Sequence, residues 1–170
     1  HAINPAITPR MPYDVARDFA PITQLAAQPN AIAVASDLPA RSIPELVAFL
    51  KRKPGDTAFG TSGVGTSVHL AGALFMQMTG TAIEHVPYRG SGQVTTALMT
   101  GELPMAFDNL SSVLPFAREG KLRILGVTGL QRSPAAPEIP TVAESVPGFE
   151  SLSWHGFFAP AKVPPAIIAR

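Results

Sequence analysis

An α/β fold, with a mostly parallel sheet and helices on both faces, is predicted for this chain of 170 residues by three observations. Short apolar runs alternate with amphipathic, helix-spaced segments through the middle of the chain. Two of the strand-to-helix turns are rich in glycine, Gly60-Thr61-Ser62-Gly63-Val64-Gly65-Thr66-Ser67 and Pro87-Tyr88-Arg89-Gly90-Ser91-Gly92. Proline breaks up the two ends but leaves a cleaner pattern between them: Pro5, Pro9, Pro12 and Pro21 early, and Pro134, Pro137, Pro140, Pro147, Pro160, Pro164 and Pro165 late.

In chain order, Ala31 to Ala35 reads as a buried strand. A helix follows. Ser42 and Glu45 have capping-box spacing, Pro44 sits in the first turn where a missing N–H costs little, and Ile43, Leu46, Val47 and Leu50 recur at helical spacing. Lys51, Arg52 and Lys53 suit its C-terminal dipole, and Pro54-Gly55-Asp56 ends it. Thr57 to Gly60 is a short strand leading into the first glycine-rich turn. Val68, Ala71, Leu74, Phe75 and Met78 then form one apolar helix face that ends near Gly80. Ile83 to Val86 is a strand, Ser91 to Thr100 a helix and Leu103 to Phe107 a strand. Ser111 to Glu119 is a helix stopped at Gly120, and Leu122 to Thr128 a further strand.

At 46% hydrophobic and 15% charged, the chain can bury a sizeable core. Thirteen basic against twelve acidic residues leave a net charge of +1, which gives no case for nucleic acid or an anionic membrane surface. Cysteine is absent, excluding disulfides, thiolate zinc sites and cysteine nucleophiles. The four histidines have no metal-binding spacing, so no metal is expected. No apolar run is long enough to cross a membrane. Neither Met nor a charged leader opens the sequence, and His1-Ala-Ile-Asn-Pro5 reads as a cut through a longer protein.

Ligands of open α/β sheets bind beyond the carboxyl ends of the strands, where three candidate segments fall. Gly63, Val64, Gly65, Thr66 and Ser67 run straight into a helix. Glycine lets backbone N–H groups approach a ligand, the helix start adds partial positive charge, and the two hydroxyls are further donors, all suited to a carboxylate or phosphate. The alternative is a tight turn with Thr66 or Ser67 as the helix cap. A P-loop needs Lys after its second glycine, and Thr66 stands there; a Gly-x-Gly-x-x-Gly pattern is also absent. Tyr88, Arg89, Gly90 and Ser91 form the second segment, with Arg89 and Tyr88 either contacting a ligand or lying on the surface. Asp108 is the third: it accepts from a ligand, or it caps the helix beginning near Ser111. His69 reads as a structural hydrogen-bonder. No Gly-x-Ser-x-Gly elbow and no acidic cluster supports an enzyme.

One ordered set of segments is more specific than any of its parts. It comprises His1-Ala-Ile-Asn-Pro5, Pro12-Tyr-Asp14, Asp18-Phe-Ala-Pro-Ile22, Gly63-Val-Gly-Thr-Ser67 with His69-Leu-Ala71, Val86-Pro-Tyr-Arg-Gly90 and Phe107-Asp-Asn109, then Arg132-Ser-Pro134, Ile139-Pro-Thr-Val-Ala-Glu144, Ser153-Trp154 and Phe158-Ala-Pro160. In this set the chain resembles the Bug-type substrate receptors of tripartite tricarboxylate transporters. The resemblance implies a periplasmic-binding-protein-like fold of two α/β domains closing on a small organic anion: a di- or tricarboxylate, an acidic amino acid or an aromatic acid. It implies delivery to a membrane permease, a periplasmic location, no cofactor and no catalysis. It also implies ligand-binding roles for Gly63, Val64, Gly65, Thr66, Ser67, Tyr88, Arg89, Gly90, Ser91 and Asp108. Receptors of this kind are longer, so residues 26–128 are expected to form the second domain, with 1–25 and 129–170 as segments of an incomplete first. Phe149, Leu152, Trp154, Phe157 and Phe158 would then lack partners, inviting self-association. The competing readings are an α/β hydrolase or phosphotransferase and a ligand-sensing interaction module.

Overall fold

The computed structural model describes residues 3–8 and 10–169. His1 and Ala2 of the matched set, Pro9 and Arg170 lie outside the described residues. In chain order the elements are α1 (Asn4–Ile7), α2 (Val15–Asp18), β1 (Phe19–Ala35), α3 (Ile43–Arg52), β2 (Ala58–Thr61), α4 (Ser67–Thr79), β3 (Glu84–Pro87), α5 (Ser91–Met99), β4 (Met105–Asn109), α6 (Leu110–Arg118), β5 (Leu122–Val127), a 3-10 turn (Val142–Glu144), β6 (Leu152–Pro160) and α7 (Pro165–Ile168).

The chain divides into two compact units, one of residues 1–27 with 154–170, the other Gln28–Ser153. In the second, the sheet order is β3-β2-β4-β1-β5. β2 runs parallel to both β3 and β4, with Thr61 level with Pro87 and Gly60 level with Ala106. β1 runs antiparallel to β4 and β5, with Ala31 opposite both Asp108 and Val127. The α/β class stands, but the sheet is more mixed than the β-α-β rhythm suggested. That rhythm covers β2 to β4, whereas β1 enters from the other end. Lying between two partners, its Ala31–Ala35 run is buried on both faces, which is why it is continuously apolar.

Two cores flank the sheet. Ile32, Val34, Phe59 and Phe107 pack against α3 and α4 through Leu46, Leu50, Val68 and Phe75. Ala31, Ala33 and Ala106 pack against α5 and α6 through Val94, Leu98, Leu110 and Val113. Consecutive residues of β1 thus serve opposite faces, as strand geometry requires. α3 begins as expected: Ser42 accepts from the Glu45 N–H at 3.3 Å, while the Glu45 carboxylate reaches one residue further back, to the Arg41 N–H at 2.8 Å. α4 ends on Gly80 in the left-handed conformation (φ 63°).

Residues 129–153 differ from expectation. They pack with the second unit rather than with a returning first domain. Val142 and Phe149 complete the α3–α4 core, Ala136 and Ile139 the α5–α6 core, and the Val127 N–H donates to the Pro140 carbonyl at 2.9 Å. Phe149, expected to lack partners, is fully buried with its ring edge-on to Phe75 at 6.2 Å. Apolar residues between prolines can cover a sheet edge without forming a regular element, and periodicity does not register them.

In the first unit Asp14 caps α2, accepting from the Ala16 and Arg17 N–H groups at 2.9 Å. The start of β1 and the end of β6 lie close together, so that a Cβ on Gly156 would sit 3.1 Å from the Thr23 carbonyl. Ile22, Leu25, Trp154 and Phe157 are exposed. A cavity of about 630 Å³ is lined by Pro5, Met11, Tyr13 and Arg17, among others.

Candidate functional site

The chain leaves β2 toward β3 on one side, then crosses back over β2 to β4 on the other. This reversal makes the carboxyl ends of β2 and β4 a topological switch point, the place where open sheets take their ligands. α4 follows β2 and α5 follows β3, packed on opposite faces. Two helix N-termini, with their first-turn N–H groups and partial positive charge, therefore meet the crevice beyond Thr61, Pro87 and Asn109.

The first loop is held largely by its own groups. Thr66 is the N-cap of α4, accepting from the His69 N–H at 3.4 Å and donating its own proton to the Gly63 carbonyl at 2.7 Å. The capping alternative is thus what the structure shows for this hydroxyl. The Gly63 N–H donates to Thr61 Oγ1 at 3.3 Å and the Gly65 N–H to His69 Nδ1 at 3.1 Å. Gly63 (φ 133°) and Gly65 (φ 76°) occupy backbone conformations that a side chain disfavours. Val64 exposes its side chain, and the Ser67 and Val68 N–H groups, in the first turn of α4, have no intrahelical acceptor. Gly60 has a different role. A Cβ there would lie 2.3 Å from Leu103 Cδ2 and 3.3 Å from the Tyr88 ring, so this glycine permits packing.

Two histidines support the loop from beneath. The His69 ring stacks on His85 at 4.2 Å, and His85 Nε2 lies 2.7 Å from Thr61 Oγ1. His69 Nδ1 accepts from the Gly65 N–H, an arrangement that leaves Nε2 to carry the ring hydrogen. Burial, and then the neighbouring His69, lower the His85 pKa below its ordinary value.

In the second loop the Arg89 N–H is taken by Gln93 Oε1 at 3.1 Å, and the guanidinium is exposed with no ion pair among the described residues. Tyr88 lies half-buried against the α5–α6 core, its pKa raised by burial and then by Glu102. Gly90 is the N-cap of α5 and makes no side-chain cap, so the Ser91 and Gly92 N–H groups stand open.

Asp108 is fully buried. It does not cap α6, whose N-cap is Asn109. Its Oδ1 lies 2.6 Å from Ser91 Oγ and 2.7 Å from the Asn109 N–H, while its Oδ2 has no partner. Burial raises its pKa, opposed by those two bonds. Asn109 reaches the other face. Its Oδ1 is 2.7 Å from Ser153 Oγ, which is 2.5 Å from Ser67 Oγ at the start of α4 and 2.8 Å from Asn30 Oδ1. The terminal dipeptide of β4 therefore contacts the first residue of both helices: Asp108 directly, and Asn109 through Ser153. Ser153 has one proton and three oxygen neighbours, so one of the two amides must turn its nitrogen toward it. Thr128 closes the cluster, accepting from the Asn30 N–H at 2.7 Å and lying 2.5 Å from the Ser151 carbonyl.

Sequence reasoning did not single out Asn30, Thr128 or Ser151, and it quoted Thr61 only as part of the glycine-rich turn and Ser153 only as part of the family-specific set, with no role for either. Asn30 and Ser153 are 123 positions apart, and nothing local in the sequence pairs them. No group of three or more metal-ligating side chains occurs among the described residues.

A family model described as the tripartite tricarboxylate transporter family receptor (TctC) matches residues 1–170. The UPF0065 protein in the tcbD-tcbE intergenic region of Pseudomonas sp. (strain P51) is 40% identical over 164 residues, covering 95% of this chain and 49% of its own. The structure of R. palustris Rpa4515 with adipate superimposes with a TM-score of 0.90 at 36% identity, covering 95% of this chain and 54% of that one. MatC (Rpa3494) from Rhodopseudomonas palustris with bound malate gives 0.89 at 26% identity, covering 98% and 57%. The chain spans about half the length of the curated relatives it matches.

Proposed function

The chain belongs to the receptor family of the tripartite tricarboxylate transporters, and on that premise we propose that these 170 residues carry the anion-reading half of a solute receptor for a small organic carboxylate. The observation that carries this reading is the convergence of the α4 and α5 N-termini on the β2/β4 switch point, their first residues both tied to the end of β4. With a net charge of +1, anion preference has to come from such local dipoles and donors. The adipate and malate held by two solved relatives are of the matching chemical class. The open donors are the N–H groups of Ser67, Val68, Ser91 and Gly92; the Gly63 and Gly65 N–H groups serve loop geometry instead. The exposed Arg89 guanidinium is a secondary contact, so Arg89→Ala lowers affinity only several-fold.

In this reading the ligand passes to a membrane permease from the periplasm, and no covalent chemistry takes place. The apolar side chains of Ile22, Leu25, Trp154 and Phe157 support self-association when these residues stand alone, which light scattering against concentration tests. The function itself is tested on the full-length chain by thermal shift with adipate, malate, glutamate and benzoate. A saturable upward shift with at least one carboxylate is expected. No shift with any of them, or an equal shift with uncharged analogues, removes the reading.

A further inference from the structure

Asp108 poses a problem in proton placement. A fully buried carboxylate anion needs donors on both oxygens or a cation nearby. Here both donors, Ser91 Oγ and the Asn109 N–H, meet Oδ1, and Oδ2 has none. α5 and β2 contribute no charged or titratable side chain, and Ala31 of β1 lies opposite. Among the described residues, the charged or titratable groups of the α5 face are Tyr88 and Arg89 before α5, Glu102 after it, Arg118, Glu119 and Lys121 at the end of α6, and Glu138 in the segment that covers it; none of them bonds Asp108. His69 and His85 lie on the α4 face. The arrangement suits a neutral acid.

A neutral acid can place its proton in two ways. On Oδ2, the proton would be a buried donor without an acceptor. On Oδ1, it lies 2.6 Å from Ser91 Oγ, a normal separation for a carboxyl O–H bond, and leaves Oδ2 as an under-satisfied carbonyl oxygen. Proteins tolerate the second kind of orphan better than the first. Ser91 Oγ then accepts, and its own hydrogen is released from Asp108.

We propose that Asp108 is a positioning residue for Ser91: held neutral, it donates to Ser91 Oγ and so turns the Ser91 O–H outward, beside the open N–H groups of Ser91 and Gly92, toward an anionic ligand. Ionised, Asp108 captures that hydrogen, and Ser91 presents lone pairs that repel a carboxylate. The Asp108–Ser91 pair thus sets the polarity of the site, favouring carboxylates over ligands that offer only donors. This deepens the carboxylate-receptor reading and rests on it.

Two measurements on the full-length chain test it. The first needs no ligand: carbon-detected NMR titration of the Asp108 carboxyl. It is expected to stay neutral through the ordinary aspartate range, about 4, and to ionise above it; titration within that range overturns the proposal. The second is calorimetry with adipate on wild type, Ser91→Ala, Asp108→Asn and the double variant. In Asp108→Asn the side-chain oxygen takes both donors at the old Oδ1 position and recaptures the Ser91 hydrogen. Each single change is expected to lower affinity about tenfold, and the double no further, because both remove the same donor. Wild-type affinity is expected to fall as pH rises through the Asp108 titration, while the variants stay flat. Additive losses, or a flat wild-type profile, overturn the proposal. If wild type binds none of adipate, malate, glutamate and benzoate, the receptor reading falls, and the titration alone still decides the state of Asp108.

Discussion

The glycines of the first turn look alike in sequence but act differently. Gly63 and Gly65 are there for their backbone angles, whereas Gly60 is there because Leu103 occupies the space a Cβ would need. Gly60→Ala is expected to cost about 1–3 kcal/mol through overpacking, read as a lower denaturant midpoint with unchanged slope. A second residue-scale expectation concerns His85. Its folded pKa lies below the ordinary 6.5, so the folded state disfavours its charged form. The stability it contributes is complete above 6.5 and is lost as pH falls through that value toward the lowered one. Protonating His85 also sets a positive charge face to face with the His69 ring. Hydrogen-exchange protection of the Gly63 and Gly65 amides, corrected for intrinsic rates, is therefore expected to fall between about pH 7 and about pH 5. Unchanged protection over that range would separate the loop from the histidine pair.

At the scale of elements, local signals placed the helices well because their ends carry their own chemistry. Ser42, Thr66 and Gly80 are where capping rules put them. Thr66→Ala is expected to cost about 1 kcal/mol and to release the Gly63 carbonyl as well, so loss of stability and of adipate affinity should go together. The segment after β5 was not readable in this way. There Glu144 accepts from the Thr141 N–H and from Nε and Nη2 of Arg132, the last two at 2.8 Å each. The guanidinium, then the Thr141 N–H, hold its pKa near about 2 against an ordinary 4.5. The sign is that of a depressed acid: the contribution is present above 4.5 and fades as pH falls toward about 2. Glu144→Gln should flatten that part of the acid-unfolding profile, as followed by circular dichroism; an unchanged acid limb would mean that the pair, both partners of which are exposed, contributes nothing measurable.

At the scale of the molecule, four phenylalanines hold the second unit together. The Phe107 ring packs edge-on to Phe59 at 5.5 Å and lies 5.7 Å from Phe75, which in turn meets Phe149. This joins β2, β4, α4 and the proline-rich segment in one core. Phe149→Ala is expected to cost about 3–5 kcal/mol and to expose residues 129–153 to protease. A small cost, with cleavage unchanged, would favour the expectation drawn from the resemblance, in which that segment belongs to the incomplete first domain.

The sequence alone determined what depends on neighbours in the chain: the α/β class, the order of β2 to β4 with their helices, the caps, and a family-specific set of short segments. It also narrowed the chemistry, since a near-neutral chain without cysteine or P-loop lysine has few ways to bind an anion other than backbone and hydroxyl donors. Tertiary structure decided what depends on residues far apart. It reversed β1 against its neighbours, drew residues 129–153 into the second unit, and took up the Gly63 and Gly65 donors inside the loop. It also buried Asp108 with one oxygen unpaired and brought Asn30, Asn109 and Ser153 to Ser67. A hydrogen bond across 123 positions leaves no periodicity for sequence to carry, because the fold, and not the chain, makes its partners neighbours.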